Sequence, residues 1–124
     1  DKADPYAKYY GQSADISSTL SLRFDKYYER TNSDGTKIVT LTFRVTNSGT
    51  EESSTTKALF ISDENNRNFE ANPWVCQTIV NPGLSKDIDC SFYDIPIDSK
   101  IVALKLGDSI GNKGKYTTLM TFGS

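Results

Sequence analysis

The chain has two cysteines, Cys76 and Cys90, placed almost symmetrically about Asn81-Pro82-Gly83. If residues 74–80 and 86–92 are two strands of a hairpin, a loop centred on Gly83 sets Cys76 opposite Cys90. Facing positions on an antiparallel pair bring Cβ atoms to roughly 4.5–5.5 Å, close enough for a disulfide. The same register sets Trp74 opposite Phe92, an aromatic pair beside the staple. A strict two-residue turn at Pro82-Gly83 would instead place Cys76 opposite Asp89. A redox-active or metal-binding pair is the rival reading. Catalytic dithiols sit in a Cys-x-x-Cys at a helix N-terminus, where the thiolate is stabilised, whereas these cysteines lie 14 positions apart in strand-like sequence. A staple closing such a loop contributes up to ~3 kcal/mol in the chain-entropy model. It points to an oxidising compartment, extracellular or at the cell envelope.

Histidine is absent from the 124 residues, which removes the commonest metal ligand and the commonest general base. Two cysteines without histidine do not make a closed zinc site. Lys and Arg number 14 against 16 Asp and Glu, for a net charge of -2. That balance lacks the basic footprint of a nucleic-acid binder and the polybasic cluster that attracts an anionic membrane. No apolar run approaches the roughly 18 residues of a spanning helix. The chain opens at Asp1 with no methionine, as a processed or shortened product does. Such a start is compatible with an export signal, a lipid anchor or a membrane segment upstream of residue 1, and the sequence does not choose among them.

Residues 1–15 carry Pro5, Gly11 and little periodicity, and read as an N-terminal linker or loosely docked arm. Its tyrosines, Tyr6, Tyr9 and Tyr10, suit either a short helical turn or a sticky patch. Residues 16–124 read as one domain with a period-2 signal. Leu20, Leu22 and Phe24 alternate with Ser21, Arg23 and Asp25, and Tyr27 and Tyr28 extend that strand. Asn32-Ser33-Asp34-Gly35 is a hairpin turn. Val39, Leu41, Phe43 and Val45 then point one way, and Thr40, Thr42, Arg44 and Thr46 the other. Shorter strands follow around residues 58–61 and 67–70, joined by Asp63-Glu64-Asn65-Asn66. Beyond them, Leu84, Ile88, Cys90 and Phe92 share one face of a strand. The last strands lie at 101–106 and 116–122, with a loop over 107–114 between them. About seven to eight short strands with frequent turns predict an all-β, immunoglobulin-like antiparallel β-sandwich.

Three clusters invite a functional reading, and each has a plainer one. Asp63, Glu64 and Asn66 could hold calcium through hard oxygens, but the EF-hand spacing and its downstream glutamate are missing, so a solvated turn fits better. Asp87 and Asp89 share a strand face with no nucleophile nearby. Gly111-Asn112-Lys113-Gly114-Lys115 lacks the spacing of a P-loop. The site expectations are therefore no catalytic, cofactor-binding or metal-binding residue.

From about Ser21 to Gly107 the order of features resembles a known family. The residues are Val45, Asn47 and Gly49 at a strand end, and Asp63 with Asn65 or Asn66 in a hairpin. Asn81, Pro82, Gly83, Phe92 and Pro96 follow. The pattern is similar to that of the telokin-like, immunoglobulin-fold domain of unknown function found in bacterial and archaeal lipoproteins and secreted antigens. The resemblance implies an extracytoplasmic, often membrane-tethered, non-enzymatic domain, and it carries over no catalytic or ligand residue. The cysteine pair is not part of the family pattern.

The reading that follows is a non-enzymatic module, without cofactors, that mediates protein–protein interaction at the cell envelope. Tyr6, Tyr9, Tyr10, Tyr27, Tyr28 and Tyr93 are its candidate contact residues, because tyrosine joins a large apolar body to a hydroxyl. The alternative is a small-ligand domain for carbohydrate or calcium, with Trp74 and tyrosines stacking on a sugar ring. Whether Trp74 is exposed or buried against the staple separates the two.

Overall fold

The computed structural model describes residues 5–54, 59–71, 76, 78–107 and 116–122. They form the expected all-β, immunoglobulin-like antiparallel sandwich. One sheet runs β1 (Ser13–Asp15), β2 (Leu20–Thr31), β3 (Thr36–Asn47), β8 (Ser85–Pro96). The other runs β10 (Tyr116–Thr121), β9 (Ile101–Gly107), β5 (Leu59–Asp63), β6 (Asn68–Glu70). A two-stranded ribbon joins β4 (Ser53–Ser54) to β7 (Ile79–Val80). The strands that alternation does not announce are β1 and β4, three and two residues long, too short to show a period. Trp74 and residues 108–115 lie outside the described residues, so the Trp74 criterion and the glycine-rich loop are not placed.

The inward face of β3 organises the core. Val39, Leu41, Phe43 and Val45 are fully buried, as their period-2 spacing requires. They share the interior with Leu20, Leu22 and Phe24 of β2, with Ile88, Cys90 and Phe92 of β8, and with Leu59, Ile61, Leu104 and Leu106 of the second sheet. Burying each such side chain contributes roughly 1.5–3 kcal/mol. On the outer face Thr40 pairs with Ser91 at 3.0 Å and Thr46 with Ser85 at 2.8 Å. Thr42 donates to Asp89 at 2.7 Å, and Arg44 to Asp87 at 3.0 Å. Asp87 and Asp89 are thus rungs of a cross-strand ladder.

Two bulges reset which residues of β2 and β8 face the core. In β2 the pairing steps from Phe24↔Phe43 to Lys26↔Thr42, leaving Asp25 as the extra residue. An extra residue reverses the parity of a strand, so Tyr27 turns inward and Tyr28 outward. In β8 the pairing steps from Phe92↔Val39 to Ile95↔Lys37. Tyr93 and Asp94 (φ 60) therefore face Ile38 together. Tyr93 is outward by alternation after Phe92, Asp94 stays outside with it, and Ile95 returns to the core.

The disulfide forms, but not through a hairpin. Cys76 and Cys90 are bonded with Cα atoms 4.6 Å apart, and both are buried. β7 pairs with β4, and β8 with β3, so Cys90 stands opposite Leu41. The turn explains the difference. Leu84 N–H donates to the Asn81 carbonyl at 3.1 Å across Pro82 and Gly83, and Gly83 has φ 77. This is the type II pattern, whose twist splays flanking strands instead of pairing them. Leu84 itself is 57 % exposed and does not share the buried face of Ile88, Cys90 and Phe92. The staple ties the segment between β6 and β7 to the middle of β8.

Asn47 holds the turn in place. Its backbone N–H donates to the Leu84 carbonyl at 3.0 Å, and its carbonyl accepts from Gly83 N–H at 2.8 Å. Its side chain is fully buried. Nδ2 donates to the carbonyls of Glu51 at 2.8 Å and Val80 at 2.9 Å, while Oδ1 accepts from Gly49 N–H at 2.9 Å. A side chain on Gly49 would meet Thr19 Cγ2 at 3.0 Å and Asn47 Oδ1 at 3.2 Å. The Val-x-Asn-x-Gly and Asn-Pro-Gly motifs are therefore two halves of one hydrogen-bonded junction.

Asn47→Ala leaves three backbone groups without partners and lowers stability by about 3 kcal/mol, the low end of the sum at about 1–3 kcal/mol for each, measured by urea denaturation. Replacing both cysteines by serine lowers it by about 3 kcal/mol through the freed loop, with the same sheet pairings retained in the amide NMR spectrum.

Candidate functional site

The six tyrosines singled out in the sequence fall into two groups. Tyr6, Tyr9, Tyr10 and Tyr27 meet at one end of the sandwich, while Tyr28 and Tyr93 stand on the outer face of the first sheet. Residues 5–15 are packed against the body, not loosely docked. Ala7–Tyr9 form one turn of 3-10 helix. Gly11, at φ 96, then lets its N–H donate to the Phe24 carbonyl at 2.8 Å. Phe24 N–H returns a bond to the Gln12 carbonyl at 2.8 Å. Ser13–Asp15 continue as β1, with Ser13 opposite Arg23. A boundary drawn at residue 15 would thus separate a strand from the partner it pairs with.

Tyr6 is buried, its ring stacked on Tyr27 with centroids 3.7 Å apart and edge-on to Phe122 at 5.8 Å. Its hydroxyl donates to the Ile101 carbonyl at 2.8 Å. Tyr10 packs edge-on against Phe24 at 5.2 Å, and its hydroxyl accepts from Tyr27 N–H at 2.9 Å. Tyr6 and Tyr27 are core residues, and Tyr9 and Tyr10 are half-buried against the core. The reason is the Asp25 bulge, which turns Tyr27 inward and gives Tyr6 a flat partner. Burial pushes both hydroxyls above the usual tyrosine range, and the Glu29 carboxylate adds to the shift at Tyr27.

Beneath the tyrosines lies a buried ammonium. Lys37 occupies an inward position of β3, one step before Val39, and is 4 % exposed. Its Nζ donates to Glu29 Oε2 at 3.0 Å and to the Ser99 carbonyl at 2.7 Å. Tyr27 donates its hydroxyl to the same Glu29 oxygen. The Ser99 hydroxyl donates to Asp63 Oδ2 at 3.0 Å and accepts from Arg67 at 3.0 Å. Alternation of β3 extended back by one more step would have placed Lys37 inside.

Asp63 is the second anchor. Burial opposes its charge, but the amides of Arg67 and Asn65, the Arg67 guanidinium at 2.7 Å and the Ser99 hydroxyl outweigh it. They hold its carboxyl below the usual aspartate range. Glu64 accepts the Lys100 amide at 3.1 Å on both oxygens. The oxygens that the sequence offered to calcium are thus largely occupied by donors of the chain itself.

Between the N-terminal turn and this network is a cleft of about 320 Å³. Tyr6, Tyr9 and Phe122 line it as apolar surface, and Lys8, Glu29 and Lys100 bring charge to it. On the outer face of the first sheet, Tyr28 is 55 % and Tyr93 44 % exposed. Ile38 lies between their strands, facing the Tyr93 bulge. Ile79, Leu84 and Ile97 are the other large apolar side chains exposed among the described residues.

Tyr6→Ala removes the stack and the bond to Ile101, costs about 3 kcal/mol, and accelerates amide exchange in Ser13–Asp15. For Asp63 the carboxyl is lowered in the folded state, so its contribution is complete above its ordinary range near pH 4. It fades as pH falls through the lowered value. Wild-type stability therefore drops on acidification below about pH 4. Asp63→Asn is less stable by about 2 kcal/mol at pH 7, since bonds to a charged group are worth about 1.5–3, and shows a shallower acid loss by pH-dependent urea melts.

No family model matches this chain, and no curated protein matches it. Two solved structures share its fold. One is an uncharacterized β-sandwich protein from Clostridium difficile 630, with TM-score 0.57 and 10 % identity over 81 % of this chain and 86 % of that one. The other is a conserved hypothetical protein from Bacillus anthracis, with TM-score 0.53 and 10 % identity over 88 % and 96 %. At that identity the likeness is one of fold: this chain is an antiparallel β-sandwich similar to these two.

Proposed function

We propose that the chain is a non-enzymatic, immunoglobulin-like module of the extracytoplasmic space that binds a protein partner at the cell envelope. The carrying observation is the outer face of the first sheet, where Tyr28 and Tyr93 stand exposed around Ile38. The rest of that face is a ladder of paired polar groups across β3 and β8, from Thr40–Ser91 to Thr46–Ser85. Side chains already held by their neighbours lose little freedom on association, which favours binding to such a face. Exposed tyrosines supply the large, semi-rigid contact area that interfaces favour.

The buried Cys76–Cys90 bond supports the compartment, because structural disulfides persist where thiols are not kept reduced. The order of Asn47, Gly49, the Asn-Pro-Gly turn, Phe92 and Pro96 supports membership of the telokin-like domains of lipoproteins and secreted antigens. The Lys37–Glu29 and Asp63–Arg67 groups bond to each other and to the backbone, which favours a structural role for them over turnover.

Tyr28→Ser combined with Tyr93→Ser tests the reading, since exposed substitutions shift stability by only about 0.5 kcal/mol each. The reading expects an envelope protein that is captured by wild type and by Arg23→Ala, a control on the same face, and is lost with the double variant. Identical capture by all three proteins would contradict it.

A further inference from the structure

We propose that the cleft beneath the N-terminal turn binds an acidic sugar, a pyranose ring carrying a carboxylate. The inference stands apart from the outer-face interface and uses other residues. Three features of the cleft converge on this class. Its surface is aromatic, with half-buried Tyr9 set edge-on to Phe122 at 5.5 Å. Such rings accept the C–H face of a sugar. Lys8 holds its ammonium 5.3 Å from the Tyr9 ring centre, and the same ring attracts the positive C–H edges of a sugar that takes the ammonium's place.

The second feature is a spare acceptor. Glu29 Oε2 takes both the Tyr27 hydroxyl and the Lys37 ammonium, while Oε1 carries no hydrogen bond among the described residues. The carboxylate is fixed in place and its charge is offset by Lys37. Its remaining oxygen suits the hydroxyls of a ring. The third feature is cationic. Lys8 and Lys100 line the cleft and carry no ion pair among the described residues. They favour a carboxylate on the ligand over a neutral sugar. A volume of about 320 Å³ lies at the small end of ligand pockets, which run from about 300 to 1,000 Å³, as a single ring requires.

The test is a titration of the full chain followed by two-dimensional amide NMR, with D-glucuronate, D-glucose and cyclohexanecarboxylate as probes. Glucuronate shifts the amides of Tyr6, Tyr9, Glu29 and Lys100 to saturation. Glucose lacks the charge and cyclohexanecarboxylate lacks the hydroxyls, so each binds at least about fivefold more weakly. Lys100→Gln weakens glucuronate by about fivefold and leaves glucose unchanged. Tyr9→Leu removes both sugars while the amide dispersion of the sandwich is retained. The proposal is overturned by the absence of saturable shifts at these amides, by cyclohexanecarboxylate binding as tightly as glucuronate, or by an unchanged glucuronate affinity in Lys100→Gln.

Discussion

A buried ammonium must find partners or be destabilising, and Lys37 is such a group. Its position in β3 is inward, so its stem follows Val39 and Leu41 into the interior while its charge meets Glu29 and the Ser99 carbonyl. The arrangement around it follows from those two bonds. Glu29, held by Lys37, receives the Tyr27 hydroxyl, and Tyr27 offers its ring to Tyr6. Ser99, held by Lys37 through its carbonyl, passes its hydroxyl to Asp63, which Arg67 completes. One end of the sandwich is thus a polar cap of charges satisfied by one another, roofed by the N-terminal turn. The cleft is lined by that roof, through Tyr6 and Tyr9, and by Glu29 and Ser99 of the network together with Lys100.

The opposite end uses a different device. There the constraint is a neutral amide, Asn47, whose buried side chain closes the loop after β3 and captures β7 through the Val80 carbonyl. Its backbone receives the Asn-Pro-Gly turn. Neutral hydrogen bonds suffice because no charge has to be desolvated. The disulfide lies between these two junctions and fastens the connecting segment to β8.

These features explain what could be read from the sequence. Val39 to Val45 and Ile88 to Phe92 alternate without interruption, so their buried faces are visible in the residues alone. The Asp34-Gly35 turn is visible too, because Asp34 accepts from Thr36 and Gly35 takes φ 86. Parity is lost where a residue is inserted. The Asp25 bulge turns Tyr27 inward, and nothing in Asp25 itself announces it. The cysteine pairing is legible from spacing, yet its hairpin is not, since the splay of a type II turn and the pull of Asn47 appear only in three dimensions. The tyrosines could be read as a group but not sorted, because whether each is buried depends on bulges and on the docking of residues 5–15.

A tyrosine-rich N-terminal segment serves here as a wall of the fold. Tyr6 and Tyr27 are taken into the core and Tyr9 and Tyr10 pack against it, while Tyr28 and Tyr93 stay exposed on the outer face of the first sheet. The outer face follows from the two bulges, whereas the cleft rests on Tyr6 being docked against Tyr27 over the Lys37 network. A nuclear Overhauser spectrum of the full chain in solution tests it most directly. The account predicts strong cross-peaks from the Tyr6 ring to the rings of Tyr27 and Phe122. A Tyr6 ring with unperturbed shifts and no contact to either would contradict it.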